Sequence, residues 1–290
     1  MNTLPLFDRS LMRKRYLRAI ANGYERFLLD YAIADLGERL SVITRRFKNA
    51  ADVGTVLPEA GRFLKEAGIV EELVHLTPVA SETSVGIKQI EGDEEALPFG
   101  AQEFDLVISL LALQSANDLP GALIQISRSL VPDGLFLGCM LGGNTLTELR
   151  QVLMQAEAEI EGGISPRVAP FVEIRDAGAL MQRAGFALPV VDCEPLTVRY
   201  SSMFNLMHDL RAMGLTNIMT ERRKVPFKRQ TLMRAAELYA EQFADPDGRL
   251  RATFDLVWLL GWAPHESQQK PMRPGSAKMR LADALKVKDV

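Results

Sequence analysis

Between Leu28 and Phe47, apolar side chains recur at Leu29, Ala32, Ile33, Leu36, Leu40, Ile43 and Phe47. That spacing is near 3.6 residues and predicts an amphipathic helix. The pattern then changes. Ala50-Ala51-Asp52-Val53-Gly54 is a short apolar run, followed by an expected helix from about Pro58 to Ala67, with proline in the first turn where its missing N–H costs nothing. Gly68 closes that helix, and Glu72 to Leu76 and Val85 to Ile90 read as further strands. Phe104 to Leu113 is apolar almost without interruption, the expectation for a strand buried on both faces of a parallel sheet. A helix over Leu119 to Leu130 is predicted to stop at the turn signal Val131-Pro132-Asp133-Gly134, with a strand over Leu135 to Leu141.

Thr145 with Glu148 three residues on has the form of a capping box, predicting a helix from Leu146 to about Glu159. Glu161 to Pro170 is the clearest loop. Then come a helix over Ile174 to Ala184, a strand over Phe186 to Asp192, a mostly helical stretch over 200–245 and a last strand over Thr253 to Trp262. Alternation of this kind predicts βαβ units in an open parallel sheet with helices on both faces. The expected architecture is a doubly wound α/β domain over 49–265 with a helical insertion at about 200–245. An N-terminal helical segment (1–48) precedes it and a tail (266–290) follows.

Composition narrows the function classes. Of 290 residues, 47% are hydrophobic and 24% charged, which argues against disorder. A net charge of −3 argues against a generally basic nucleic-acid binder. No run of 18 apolar residues is present, so no membrane-spanning helix is expected. Two cysteines, Cys139 and Cys193, form no CxxC pair, and three histidines are scattered, so no metal centre is expected. Charge is nonetheless segregated. Residues 1–50 carry ten basic against five acidic side chains, 211–234 seven against one, and 82–105 one against seven. The basic stretches read either as solvated helix faces or as surfaces, Arg13–Arg18 and Arg222–Arg229, that dock a protein partner or touch an anionic membrane peripherally.

In a doubly wound sheet, ligands bind beyond the carboxyl ends of the strands. The first such turn is Asp52-Val53-Gly54-Thr55-Val56-Leu57-Pro58. Gly54 can adopt positive φ and let a ligand approach the backbone; Val56 and Pro58 take the alternate positions. At the end of the second strand Thr77 offers one hydroxyl to a ribose, where a carboxylate would offer two acceptors. After the third, Asp93 and Glu94 place carboxylates where the exocyclic amine of an adenine can be accepted. Each also has an ordinary reading, as a strand–turn–helix or a solvated acidic turn. His265 and Glu266, just past the last strand, are candidates for the pocket mouth. The 162–170 loop, with Arg167, is a candidate lid.

Taken together these loops resemble the class I S-adenosylmethionine-dependent methyltransferases, a Rossmann-like fold. The resemblance rests on Asp93 to Phe99, then Phe104-Asp105-Leu106-Val107, then Val131-Pro132-Asp133-Gly134-Leu135-Phe136. Within that family the chain is most similar to the branch of methyltransferase-like respiratory complex I assembly factors (assembly factor 5) and their alphaproteobacterial relatives. Phe7-Asp8-Arg9, Gly142-Gly143-Asn144-Thr145-Leu146, Ser165-Pro166, Gly261-Trp262, His265-Glu266-Ser267-Gln268 and Gly275-Ser276-Ala277 carry that similarity. The resemblance implies S-adenosylmethionine as cofactor, held by Asp52, Gly54, Thr77, Asp93, Glu94 and Gln114. Gln114 lies in Leu113-Gln114-Ser115, where eukaryotic relatives carry His-Trp.

It further implies a protein substrate, an iron–sulfur subunit of complex I, modified on an arginine by hydroxylation. A family start near Phe7 leaves too few residues before it for a presequence. The expected compartment is the bacterial cytoplasm, or the mitochondrial matrix for a eukaryotic chain. Two other readings stand beside this one: a non-catalytic assembly chaperone on the same fold, and a small-molecule carboxyl methyltransferase of the biotin-synthesis type. No catalytic base is singled out by the residues, and nothing in the sequence sets the oligomeric state.

Overall fold

The computed structural model describes residues 5–79 and 86–269. Two helices come first, α1 (Arg9–Ala21) and α2 (Phe27–Ser41). Asp8 caps α1 by accepting the Leu11 N–H. The helix expected to reach Phe47 stops at Ser41. Val42-Ile43-Thr44 is a run of three β-branched residues that disfavours helix, and Phe47 instead opens β1 (Phe47–Val53). There follow α3 (Glu59–Glu66), β2 (Val70–Thr77), β3 (Lys88–Glu91), β4 (Phe104–Leu110), α4 (Leu119–Ser129) and β5 (Leu130–Leu141). Val85, expected to begin the third strand, lies outside the described residues. The chain continues through α5 (Thr147–Glu161), α6 (Ile174–Arg183), β6 (Ala187–Tyr200), α7 (Met203–Ala212), α8 (Arg229–Phe243) and β7 (Leu250–Trp262).

The seven strands form one sheet in the order β3-β2-β1-β4-β5-β7-β6. The first five run parallel, and the fully parallel expectation is corrected at the other end. There β7 pairs antiparallel with both β5 and β6. The alternating exposure of β6 suits an antiparallel strand with one wetter face. The strand order reverses between β1 and β4, so the turns after these two strands face each other, which is where α/β sheets open a crevice.

Alternate residues of the central strands feed two cores. Leu106, Ile108, Leu135 and Leu137 pack with α1, α2, α3, α5, α7 and α8. Val107, Phe136 and Met140 pack with α4 and α6 on the opposite face. This two-sided cover is the doubly wound arrangement, and the helical stretch over 200–245 thickens one side of it. Gly261 belongs to this packing: a Cβ there would come within 2.8 Å of Met181 and 2.9 Å of Phe186.

Two local expectations are corrected. Val131-Pro132-Asp133-Gly134 is no chain reversal but lies inside β5 as a bulge. Phe104 pairs with Leu130 and Leu106 with Leu135, so the extra residues loop out, and Asp133 takes φ +62° to allow it. Thr145 and Glu148 do not cap α5. The Thr145 hydroxyl accepts the Asp255 N–H at 3.0 Å, and Glu148 accepts the Thr253 N–H at 3.1 Å, so both bind across to β7. Leu146 opens the helix instead, from a left-handed conformation.

Candidate active site

The crevice begins at Gly54, which takes φ +80°. A Cβ there would lie 2.8 Å from that of Ala112, in the turn after β4, and 3.6 Å from the Glu94 side chain. Glycine is therefore required by both conformation and space. Below it, fully buried polar side chains tie the strand ends together. The Thr55 hydroxyl donates to Asp52 and accepts the Leu110 N–H at 3.1 Å, while His75 Nε2 sits 2.8 Å from the Thr55 carbonyl. Burial pushes the Asp52 carboxyl up to about 6, against the pull of His75 and the Thr55 hydrogen bond. Thr77 is also fully buried, and its hydroxyl is spent within the chain, 3.2 Å from the Val56 carbonyl and 3.1 Å from that of Val79.

Asp93 and Glu94 are not a solvated turn. Arg9, at the start of α1, spans both: its Nη2 lies 2.9 Å from Asp93 Oδ1 and 2.7 Å from Glu94 Oε1. Nη1 of the same guanidinium donates to the Ser115 carbonyl at 3.1 Å, and Arg13 adds a contact of 3.2 Å to Asp93. Burial opposes the Arg9 charge, but Glu94 and Asp93 outweigh it and raise the guanidinium pKa. Glu94 is 2% exposed, and burial raises its pKa against the opposing pull of Arg9. The N-terminal basic stretch thus docks, in part, on the chain's own acidic turn.

Next to this turn a cavity of about 660 Å³ opens beyond the ends of β4 and β5. Gln114 and Ser115 line one part of it; Met12, Arg15 and Tyr16 of α1 another. The 213–227 connection and residues 167–169 of the candidate lid complete it. Phe7 bridges to Met219, which ties the N-terminal segment to that connection. Structure thus joins the two basic stretches that looked separate in sequence, since Arg15 and Arg222 line one cavity. Burial pushes the Tyr16 hydroxyl up to about 12.

Three carboxylate or amide oxygens on the loops that meet at Gly54 are buried without a hydrogen-bond partner: Asp52 Oδ2, Glu94 Oε2 and Gln114 Oε1. Buried acceptors without donors are costly unless something donates to them. S-adenosylmethionine presents an ammonium, ribose hydroxyls, an adenine amine and a sulfonium, all donors or positive charge. These three acceptors therefore fit that ligand chemically, beside the buried Arg9 Nε, Arg13 Nε and His75 Nδ1, which also have no partner. Gly54, Asp93, Glu94 and Gln114 lie on the loops around this crevice with the buried Asp52 beneath them, whereas the Thr77 hydroxyl is turned to backbone carbonyls of its own chain.

Other expected residues sit elsewhere. His265 bonds to Ser267 at 2.7 Å, and Gln268 reaches Asp133 at 3.0 Å, so this stretch lies at the start of β5, the opposite end of the sheet from the crevice. The pocket-mouth reading of His265 and Glu266 is corrected accordingly: β7 runs antiparallel, so its exit is at the far edge. Arg167 lines the cavity but is neutralised by the buried Glu157 and stacks 3.8 Å over Phe227. Gly275-Ser276-Ala277 lies outside the described residues. Arg9 stands in the Phe7-Asp8-Arg9 group that carries the family resemblance and Arg15 in the Arg13–Arg18 basic stretch, but nothing in the sequence signalled that the one meets the acidic turn and the other the cavity. Among the described residues no three His, Cys, Asp or Glu side chains converge as a ligand set, and no helix is long and apolar enough to cross a membrane.

A profile for a methyltransferase domain matches residues 70–138. The chain is 38% identical to arginine-hydroxylase NDUFAF5, mitochondrial, of Danio rerio, over 97% of this chain and 90% of that one. It is 31% identical to malonyl-[acyl-carrier protein] O-methyltransferase of Gallionella capsiferriformans, over 97% and 99%. Among solved structures, the YcgJ protein of Bacillus subtilis superposes with a TM-score of 0.55 at 13% identity, over 79% of this chain and 98% of that one, which establishes the fold.

Proposed function

The chain belongs to the S-adenosylmethionine-dependent methyltransferase family that includes the NDUFAF5 arginine-hydroxylases and the malonyl-[acyl-carrier protein] O-methyltransferases, and on that premise we propose that it modifies an arginine of a protein partner during assembly of respiratory complex I. One observation carries the reading. The general methyltransferase match ends at residue 138, yet α1, α5, α7 and the 213–227 connection, which wall the cavity, lie outside it. Both relatives align over 97% of this chain and so across those elements, with overall identity of 38% to NDUFAF5 against 31% to the malonyl-carrier enzyme.

When bound, S-adenosylmethionine supplies an activated methyl group. The protein's own part is placement. Gly54 lets the ligand approach the backbone, Asp52 and Gln114 offer acceptors, and Asp93 and Glu94 accept amine hydrogens once Arg9 releases them. The cavity wall offers Tyr16 and no histidine or carboxylate, so any rate enhancement there rests on orientation and exclusion of water. A second reading, an assembly chaperone without catalysis, is favoured by one observation: the Ala112 and Glu94 side chains crowd the space over Gly54, and Arg9 holds Glu94 there in an ion pair.

Deletion of the gene followed by complementation tests both. The unaltered chain is expected to restore assembled complex I and an arginine of altered mass in one of its iron–sulfur subunits, read by mass spectrometry. Restoration by an Asp93→Ala chain that no longer binds S-adenosylmethionine in calorimetry would move the assignment to the chaperone. Intact complex I in the deletion strain, together with a requirement for biotin, would overturn both and assign carboxyl methylation.

A further inference from the structure

The arginine reading does not account for the character of the cavity. Six of its lining residues are basic: Arg15, Arg167, Arg211, Arg222, Arg223 and Lys224; no aspartate or glutamate lines it. A guanidinium substrate would find no carboxylate there, so the cavity calls for a ligand of the opposite sign.

Most of these cations are already answered. Arg167 and Arg223 pair with Glu157 and Glu161, and Arg222 lies 3.5 Å from Asp8. Arg211 and Lys224 are exposed and solvated. Arg15 differs. It is half-buried, and among the described residues no carboxylate lies within 4.0 Å of it. It donates to the Asn217 carbonyl, a neutral partner. Burial lowers its pKa most, Arg222 and Arg18 push the same way, and Asp8 pulls against them. A half-buried guanidinium among like charges, with Asp8 acting on it only from beyond ion-pair contact, is stabilised by an anion that reaches it. The deeper wall is apolar: Leu141 at the end of β5, Leu146 at the start of α5, Leu149 and Leu153 one and two turns on, and Phe254 of β7. At about 660 Å³ the space falls within the range of roughly 300–1,000 Å³ usual for small-ligand sites.

We propose that this cavity binds a linear apolar carboxylate of the fatty-acid kind, its chain along the leucines of β5 and α5 and its head group on Arg15. The assignment does not rest on the arginine-modification reading, because it uses neither the acidic turn nor the cofactor loops. A free acid and an acyl chain delivered by a carrier share this chemistry, and the probe chosen is the free acid.

The test is calorimetric titration of the full chain with three probes of equal length: dodecanoate, dodecanol and dodecyltrimethylammonium. Dodecanoate is expected to saturate one site at least tenfold more tightly than either other probe. Arg15→Met is expected to reduce dodecanoate to the level of dodecanol, while Arg15→Lys, which keeps the charge, retains the preference. Leu149→Trp, which fills the apolar end, is expected to abolish binding of all three. Equal affinities for the three probes, tightest binding of the ammonium, an Arg15→Met chain that keeps the preference, or no saturable binding by the unaltered chain would each overturn the proposal. Because the comparison of probes needs no substitution, it decides even if a variant fails to fold. Loss of complex I assembly in the deletion test bears on the previous reading and leaves this one untouched.

Discussion

The pair Arg9–Glu94 concentrates the site's energetics. Glu94 is almost fully buried, so its carboxylate depends on the guanidinium for compensation. Removing one partner of a buried pair leaves an uncompensated charge, whereas replacing both with apolar groups is often close to neutral. Arg9→Met is therefore expected to lower unfolding stability by about 3 kcal/mol, and Arg9→Met combined with Glu94→Leu by much less. Urea denaturation of both single variants and the double variant checks this. Additive losses would mean that the two side chains do not act as a pair. Sequence showed the carboxylates and the positive charge but not their meeting, because 84 positions separate Arg9 from Asp93. Thr77 marks the opposite failure. Its position at a strand end was legible, but the direction of its hydroxyl depends on Val56 and Val79, two carbonyls on neighbouring turns.

Among the elements, those with strong periodic or continuous patterns were legible: α4 and β4 are found where the apolar positions put them, to within a few residues at their ends, and α2 begins where expected but ends six residues early. Elements whose fate depends on a partner were not. The Val131-Pro132-Asp133-Gly134 stretch has every local mark of a turn, yet β4 pairs with Leu130 before it and Leu135 after it, so it bulges without reversing the chain, and the Asp133 N–H donates to the Ala263 carbonyl at 3.2 Å. Likewise Thr145 and Glu148 have capping-box spacing, but β7 presents unpaired N–H groups that outcompete the helix start. Glu148→Ala strips the Thr253 N–H of its acceptor in a largely buried place. The expected cost is about 1–3 kcal/mol, felt at β7 as well as α5. Hydrogen exchange is the measurement: the Thr253 amide is expected to lose protection along with the α5 amides, whereas fraying of α5 alone would restore the capping-box reading.

At the scale of the molecule, charge segregation proves to be internal bookkeeping as much as surface display: the acidic turn is covered by α1, and both basic stretches meet at one cavity. Fold class and the parallel part of the sheet could be read from sequence because they are built from local runs. The cavity could not, since its walls come from α1, β5, α5, α7, β7 and three connections spread over nearly the whole chain. The outer strands have a consequence of a different kind. β6 runs 14 residues along one margin of the sheet, long enough to template pairing with another chain. Pro189 and Pro195 remove donors from it, Asp192, Glu194 and Arg199 place charge along it, and β3 at the other margin is only four residues long. Replacing both prolines by valine is expected to leave the fold intact by circular dichroism but to raise turbidity on concentration; clear solutions from the double variant would show that charge alone suffices. These blunted margins make aggregation, rather than unfolding, the hazard the sheet is built against, and they keep newly made chains apart while the long β6–β7 pairing is still forming.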